Sequence, residues 1–230
     1  MTLRLSVIIP TLNEERRIAA QLAFLSALPG VHEVVVADGG SRDRTAEIVR
    51  DAGTARLVRA PRGRGAQLNA GAQAATGEVL LFLHADARLP AEAPARIAEA
   101  LANPRVGWGA FWIRTSAEGL PGWPARWLWL ADLRSRYSRL PYGDQALFVR
   151  REVFERAGGF TSQPLFEDLD LSRRLRRSGR PLLIRVPVHV SGRRFMARPT
   201  YYACLMAILP VLYRLGVPPA ALARWYGEVR

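Results

Sequence analysis

The run "LLFLHADARLP" (residues 80–90) begins with four apolar residues and then stops on His84, Ala85 and Asp86. An apolar stretch of this length without alternation predicts a strand covered on both faces, as the strands of a parallel sheet are. Extended back to "EVLLFLHAD" (78–86), it places the Asp86 carboxylate where the strand leaves the sheet. Upstream, "LRLSVIIP" and "HEVVVADGG" read as two further strands and "TARLVRA" as a short third. Between them, "TLNEERRIAAQLAFL" spaces Ile18, Leu22 and Leu25 as a helix does, and "SRDRTAEIVRDAG" is a helix with a glycine stop. Strand alternating with helix predicts right-handed βαβ units, hence an α/β, Rossmann-like single domain with a mostly parallel central sheet flanked by helices.

Beyond residue 90 the pattern loosens. "PARIAEALANP" reads as a helix, "VGWGAFWI" as a strand, "LFEDLDLSRRLRRSG" as a helix closed by Gly179, and "PLLIRVPVHV" as a last strand. The Trp-rich segment 120–144 is expected to cover a crevice. We divide the chain into residues 1–198, the folded domain, and 199–230, an apolar helical tail. The uncharged stretch of that tail is interrupted by Pro210 and is too short to span a bilayer, leaving two readings open: docked on the domain, or lying on a membrane surface.

Composition limits the function classes. At 230 residues, 49% hydrophobic and 23% charged, the chain is an ordinary globular protein. One cysteine, Cys204, rules out an internal disulfide and fits a reducing compartment, and no signal-peptide pattern opens the chain, so a cytoplasmic location is expected. The net charge of +13 is carried by arginine alone, for there is no lysine. That charge suits a phosphate-rich ligand or an anionic membrane face; no nucleic-acid signature accompanies the arginines.

In parallel sheets ligands bind beyond the carboxyl ends of the strands. Thr11 and Glu14 follow the first strand; their spacing is also that of a capping box, with Asn13 as an alternative cap. Asp38 ends the second strand before Gly39, Gly40 and Ser41, where it could hold a nucleotide or simply build a turn with a cap at Ser41 or Asp43. Asp86 could ligate Mg²⁺ or Mn²⁺, or cap the next helix; His84 would face the same side of an extended strand. Asp168 shares its helix face with Leu171 and Leu175, which turns it inward at a helix start, where the helix N-terminus favours the ionised form that a general base needs; it could instead be a helix-capping carboxylate, with Glu167 and Asp170 as the exposed acids. His189 closes the last strand, and Arg193 with Arg194 could clamp a diphosphate or form a solvated basic loop.

Five ordered motifs, "VIIPTLNE", "VVVADGGSRDRT", "RGRGAQLNAGAQAATGEVLLFLHAD", "GDQALFVRREVFERAGGF" and "FEDLDLSRRL", together resemble the family 2 glycosyltransferases of the GT-A fold. "FLHAD", "GDQ" and "SGRRF" look most like a bacterial subgroup of radical-SAM/selenodomain-associated transferases. The resemblance implies that Pro10, Thr11, Glu14 and Asp38 line a nucleotide pocket, with Arg64 near the base or phosphates. It implies that Asp86 is the last acid of an Asp-x-Asp metal motif whose first position is taken by His84, with His189 as a further ligand. Asp168 matches the family's base and Glu167 its supporting acid. No Gln-x-x-Arg-Trp motif follows, so single transfer is expected rather than polymer synthesis.

The expected activity is metal-dependent (Mn²⁺ or Mg²⁺), inverting transfer of a sugar from a nucleoside diphosphate donor, UDP by family habit, to a hydroxyl acceptor, lipid-linked or not. Two rivals are a nucleotidyltransferase making nucleotide sugars, for which "PTLNEE" lacks a glycine-rich basic loop, and a non-enzymatic basic protein docking on membranes.

Overall fold

The computed structural model describes residues 3–116, 132–133, 135–136, 140–192 and 199–226. The first half alternates as the sequence predicts: β1 (Leu5–Thr11), α1 (Glu15–Ser26), β2 (Val31–Asp38), α2 (Thr45–Ala52), β3 (Arg56–Arg59), α3 (Arg64–Ala74) and β4 (Val79–Phe82). The second half adds β5 (Ala87–Arg88), α4 (Ala93–Ala102), β6 (Trp108–Ser116), β7 (Phe148–Arg150), α5 (Arg151–Arg156), α6 (Glu167–Leu175), β8 (Leu182–Ser191), α7 (Pro199–Arg214) and α8 (Pro219–Tyr226). Most of the Trp-rich segment 120–144 lies outside the described residues, and so do Arg193 and Arg194.

One eight-stranded sheet runs in the order β3-β2-β1-β4-β7-β6-β8-β5. The pairs β1–β2, β1–β4, β2–β3 and β6–β8 are parallel, whereas β7 is antiparallel to both of its neighbours and β5 is antiparallel to β8. The chain builds outward from β1 to β2 and β3, then returns to place β4 on the other side of β1. The order therefore switches between β1 and β4, and a crevice opens there beyond their carboxyl ends.

Alternation within each strand divides the core in two. Val7, Ile9, Val34, Val36 and Leu81 pack with Ile18, Leu22 and Leu25 of α1 on one face. Ile8, Val35, Leu80 and Phe82 pack with Leu68 of α3 and Leu171 and Leu175 of α6 on the other. Helix α3 lies so close to β1 that a Cβ on Gly71 would stand 2.5 Å from Ile8 Cγ2. Arg151 fastens the end of that helix, donating to the carbonyls of Ala72 (3.0 Å), Ala75 (2.8 Å) and Gly77 (2.9 Å), two of them among the acceptors a helix end leaves without partners.

One expectation changes, and the tail takes one of the two readings left open. Strand β4 ends at Phe82, and His84 to Ala87 form a turn closed by Ala87 N–H to His84 C=O at 3.1 Å, so His84 and Asp86 do not continue the strand. Pro210 does not end the tail helix, because α7 runs through it. The tail also docks: Leu205, Leu209 and Leu222 are buried with Tyr142, Leu165, Phe166 and Leu169 in a third cluster over the start of α6.

Candidate active site

The loops after β1 and β2 are tied to each other rather than capped separately. Thr11 and Asp38 are register partners at the ends of paired strands, and the Thr11 hydroxyl donates to Asp38 Oδ1 at 3.3 Å. Asp38 Oδ2 accepts from the amides of Gly40 (3.1 Å) and Ser41 (3.0 Å), and its Oδ1 also accepts from the Ser41 hydroxyl. This carboxylate builds its own turn, the alternative that the sequence left open. The capping box is not formed: Thr11 belongs to β1, and helix α1 starts with Glu15 N–H donating to Asp43 Oδ2 at 3.2 Å. Glu14 donates its amide to the Thr45 hydroxyl (2.8 Å) and accepts from Arg17 (3.3 Å). Asn13, at φ 57°, accepts from the Arg42 amide at 2.8 Å.

Gln67 was not legible as a site residue. Buried on α3, its Nε2 donates to the carbonyls of Thr11 (2.7 Å) and Ala37 (3.0 Å), pinning the ends of β1 and β2. Only its inward place on a helix could have signalled it.

Beside this frame lies a hollow lined by Pro10, Arg64, Phe82, His84, Gly143 and Asp168 among others. Asp168 Oδ2 accepts from the Gly143 amide at 2.6 Å, and its Oδ1 accepts from Leu169 N–H at 2.7 Å. Gly143 has no room for a side chain: a Cβ there would stand 2.5 Å from Arg64 Nη2 and 3.0 Å from Asp168 Oδ2. Arg64 is the centre of the cluster. Its Nε stands 3.2 Å from Glu167 Oε1, and its Nη2 meets His84 Nε2. Burial opposes the charge of Arg64, but the attraction of Glu167, Asp168, Tyr226 and Asp144 outweighs it and raises its pKa. Burial also raises the Glu167 carboxyl above the usual Glu value; Arg64 draws it down and Asp168 pushes it up.

The structure thus brings Pro10, Arg64, His84, Asp168 and, through Arg64, Glu167 to one place, with Thr11 and Asp38 on the adjoining strand ends. Glu167 and Asp170 are not the exposed acids expected, because α3 and the tail enclose the start of α6. Both are buried, and Asp170 pairs with Arg173 (3.2 Å) and Arg174 (2.9 Å).

The metal set also changes. Among the described residues no three His, Cys, Asp or Glu side chains converge as a metal cage, so Asp86, His84 and His189 do not form one. His189 is exposed on β8, where it pairs with Arg88, and His84 turns Nε2 to a guanidinium. A single carboxylate still fits Mg²⁺ or Mn²⁺, which are commonly held through one or two carboxylates with substrate phosphates and water. Of the three residues, only Asp86 carries a carboxylate.

A βαβ sheet with buried acids and the Arg64 guanidinium gathered beside its switch point defines an α/β protein with a ligand crevice. The model of Glycosyl transferase family 2 matches residues 6–163, and the chain belongs to that family. It is a glycosyltransferase, with a GT-A fold.

An uncharacterized glycosyltransferase of Mycobacterium tuberculosis is 30% identical over 199 residues, covering 81% of this chain and 79% of the relative. An undecaprenyl-phosphate 4-deoxy-4-formamido-L-arabinose transferase of Aeromonas hydrophila is 34% identical over 106 residues, covering 41% of this chain and only 32% of its own length. Among solved structures, a mannosyltransferase of Pyrobaculum calidifontis in complex with GDP-Man and Mn²⁺ superposes with TM-score 0.65 at 23% identity, covering 96% of this chain and 67% of that one. Glucosyl-3-phosphoglycerate synthase of M. tuberculosis, with Mn²⁺, UDP and glucosyl-3-phosphoglycerate, gives 0.63 at 21% identity, covering 94% and 81%.

Proposed function

We propose that this glycosyltransferase moves a sugar from a nucleoside diphosphate donor, UDP in the first instance, to a hydroxyl acceptor with inversion, and that Asp168 is its general base. The observation that carries this reading is the position of Asp168: a carboxylate at the start of a helix, opening on the hollow at the switch point and steadied by the Gly143 amide. Donor complexes support the nucleotide class, one neighbour holding GDP-Man and another UDP. The acceptor oxygen attacks the anomeric carbon from the face opposite the diphosphate, Asp168 takes its proton, and the carbon–oxygen bond to the diphosphate breaks. Glu167 keeps Arg64 in place, and Arg64, beside His84 and near Pro10, is available to the donor phosphates. Thr11, Glu14 and Asp38 shape the nucleotide side, and Arg193 with Arg194 contribute positive charge to the diphosphate. A divalent cation, Mn²⁺ or Mg²⁺, held at Asp86 would neutralise charge on the leaving diphosphate.

In the same reading residues 1–198 form the transferase domain and 199–230 its tail. The protein falls in the radical-SAM/selenodomain-associated subgroup, as "FLHAD", "GDQ" and "SGRRF" suggest. A lipid-linked hydroxyl acceptor is in keeping with the undecaprenyl-phosphate named for one relative. Asp168→Asn keeps the shape and removes the base. UDP should still raise the melting temperature of this variant, while sugar transfer falls by about a thousandfold. Turnover at the wild-type rate would refute the assignment.

A further inference from the structure

Every large apolar side chain that the described residues leave exposed lies between positions 201 and 225: Tyr201, Ile208, Val211, Leu215 and Trp225. On α7, Tyr201, Cys204, Ile208 and Val211 succeed one another at three, four and three residues, and Leu215, one residue past its end, donates its amide to the Val211 carbonyl at 3.0 Å and extends the same stripe along the outer side. The inner side, Leu205 and Leu209, is buried on the domain. A surface helix ordinarily turns polar residues outward; this one is apolar on both sides. Trp225 of α8 joins the stripe, because the Tyr201 hydroxyl donates to the Trp225 carbonyl at 2.6 Å.

Charge selects the occupant. Residues 199–226 contain two arginines, Arg214 and Arg224, both exposed, and no acidic residue. A second copy seated on the stripe would set these arginines, and two chains of +13, against each other with no acid on the stripe's own helices to pair them. An anionic lipid surface meets both the apolar stripe and its charge. Among the described residues no helix is long and apolar enough to cross a membrane.

We propose that the outer face of the α7–α8 hairpin docks on an anionic lipid bilayer and lies in its interface. Ile208, Val211 and Leu215 enter the acyl boundary, Tyr201 and Trp225 sit at headgroup level, and Arg214 and Arg224 meet lipid phosphates. The inner face of the hairpin packs on Phe166 and Leu169, which flank the start of α6, so the bilayer stands one helix layer from Asp168. That last step rests on the proposed role of Asp168; the docking itself does not.

The full chain is floated on a density gradient with vesicles of equal parts phosphatidylglycerol and phosphatidylcholine. It should rise with them, less so in high salt, and stay behind with phosphatidylcholine alone. Combined Ile208→Ser, Val211→Ser and Leu215→Ser, all at exposed positions, should melt as the wild type does and partition about a hundredfold less. Arg214→Gln with Arg224→Gln should lose about tenfold at low salt. A dye on Cys204 should shift to the blue when anionic vesicles are added. UDP should still raise the melting temperature of the triple variant, which separates this face from the donor site.

Failure of the wild type to float, or unchanged flotation of the triple variant, would overturn the proposal. So would loss of cooperative melting in that variant, since the stripe would then be part of the core. A dimer that the triple substitution dissolves would assign the stripe to contact between copies instead.

Discussion

The two ends of the parallel strands hold their acids in opposite ways. At the amino end, Glu33 of β2 accepts four hydrogen bonds at Oε1, from the hydroxyl of Ser6, the hydroxyl and amide of Thr76, and the amide of Gly77. Partial burial pushes this carboxyl up, but those bonds outweigh it and hold its pKa below the usual Glu value. At the carboxyl end, Glu167 is buried more deeply, its pKa is raised, and the partner 3.2 Å away is a cation that it shares with Asp168 and Asp144. Neutral backbone and hydroxyl donors converge on one oxygen of the first acid. The second depends on charges that a bound diphosphate would rearrange. Glu33 is thus held by neutral donors alone, and Glu167 by a shared cation.

Removing that cation should break the comparison most. Arg64→Ala leaves Glu167 buried without its counter-charge and sets it against Asp168 and Asp144. Because the Arg64 side chain is 22% exposed, the lower end of the range for a broken buried pair applies, about 3 kcal/mol of stability by urea denaturation at neutral pH. Nucleotide-induced stabilisation should vanish with it. A loss within the scatter of surface substitutions would mean that Arg64 is no keystone.

Glu33→Gln tests the other end with a smaller effect. It should cost about 1–2 kcal/mol at neutral pH, because charged hydrogen bonds become neutral ones and the amide cannot accept all four. The sign with pH follows from the depressed pKa. The Glu33 contribution is fully present above its ordinary value of 4.5 and is lost as pH falls through the folded value. Melting temperatures of the variant should therefore fall less steeply in acid than those of the wild type, converging on them at the lowest pH.

The sheet and its helices were legible in the first ninety residues because each βαβ unit prints its own periodicity. Strand β7 was not. Its three residues, Phe148–Arg150, inside "GDQALFVRREVF", are too few to print a period, and only pairing with β4 and β6 makes them a strand. Asp168 was legible from one helix face, since Leu171 and Leu175 fix which side is inward. The metal set was not, because a short turn after Phe82 replaced the expected strand and sent the His84 ring to Arg64. Burial of Glu167 and Asp170 was hidden for a different reason: what covers them comes from elements far along the chain, α3 and the tail helices, and no local pattern reports such a contact.

Glu167→Gln gives the smallest effect on stability and the sharpest test of the comparison, because its pH dependence should run opposite to that of Glu33→Gln. The folded protein holds the Glu167 proton more tightly than the unfolded chain does, so its contribution is fully present below 4.5 and is lost as pH rises through the folded value. Gln mimics the protonated form and keeps an oxygen for Arg64, which still has Asp168 and Asp144 nearby. Below 4.5 the variant and the wild type should melt together. Above it the wild type should give up stability that the variant keeps, by about 1 kcal/mol or less across the neutral range. A variant that loses stability only as pH rises would show that Glu167 gains more from Arg64 than burial takes, and the two ends of the sheet would then hold their acids alike.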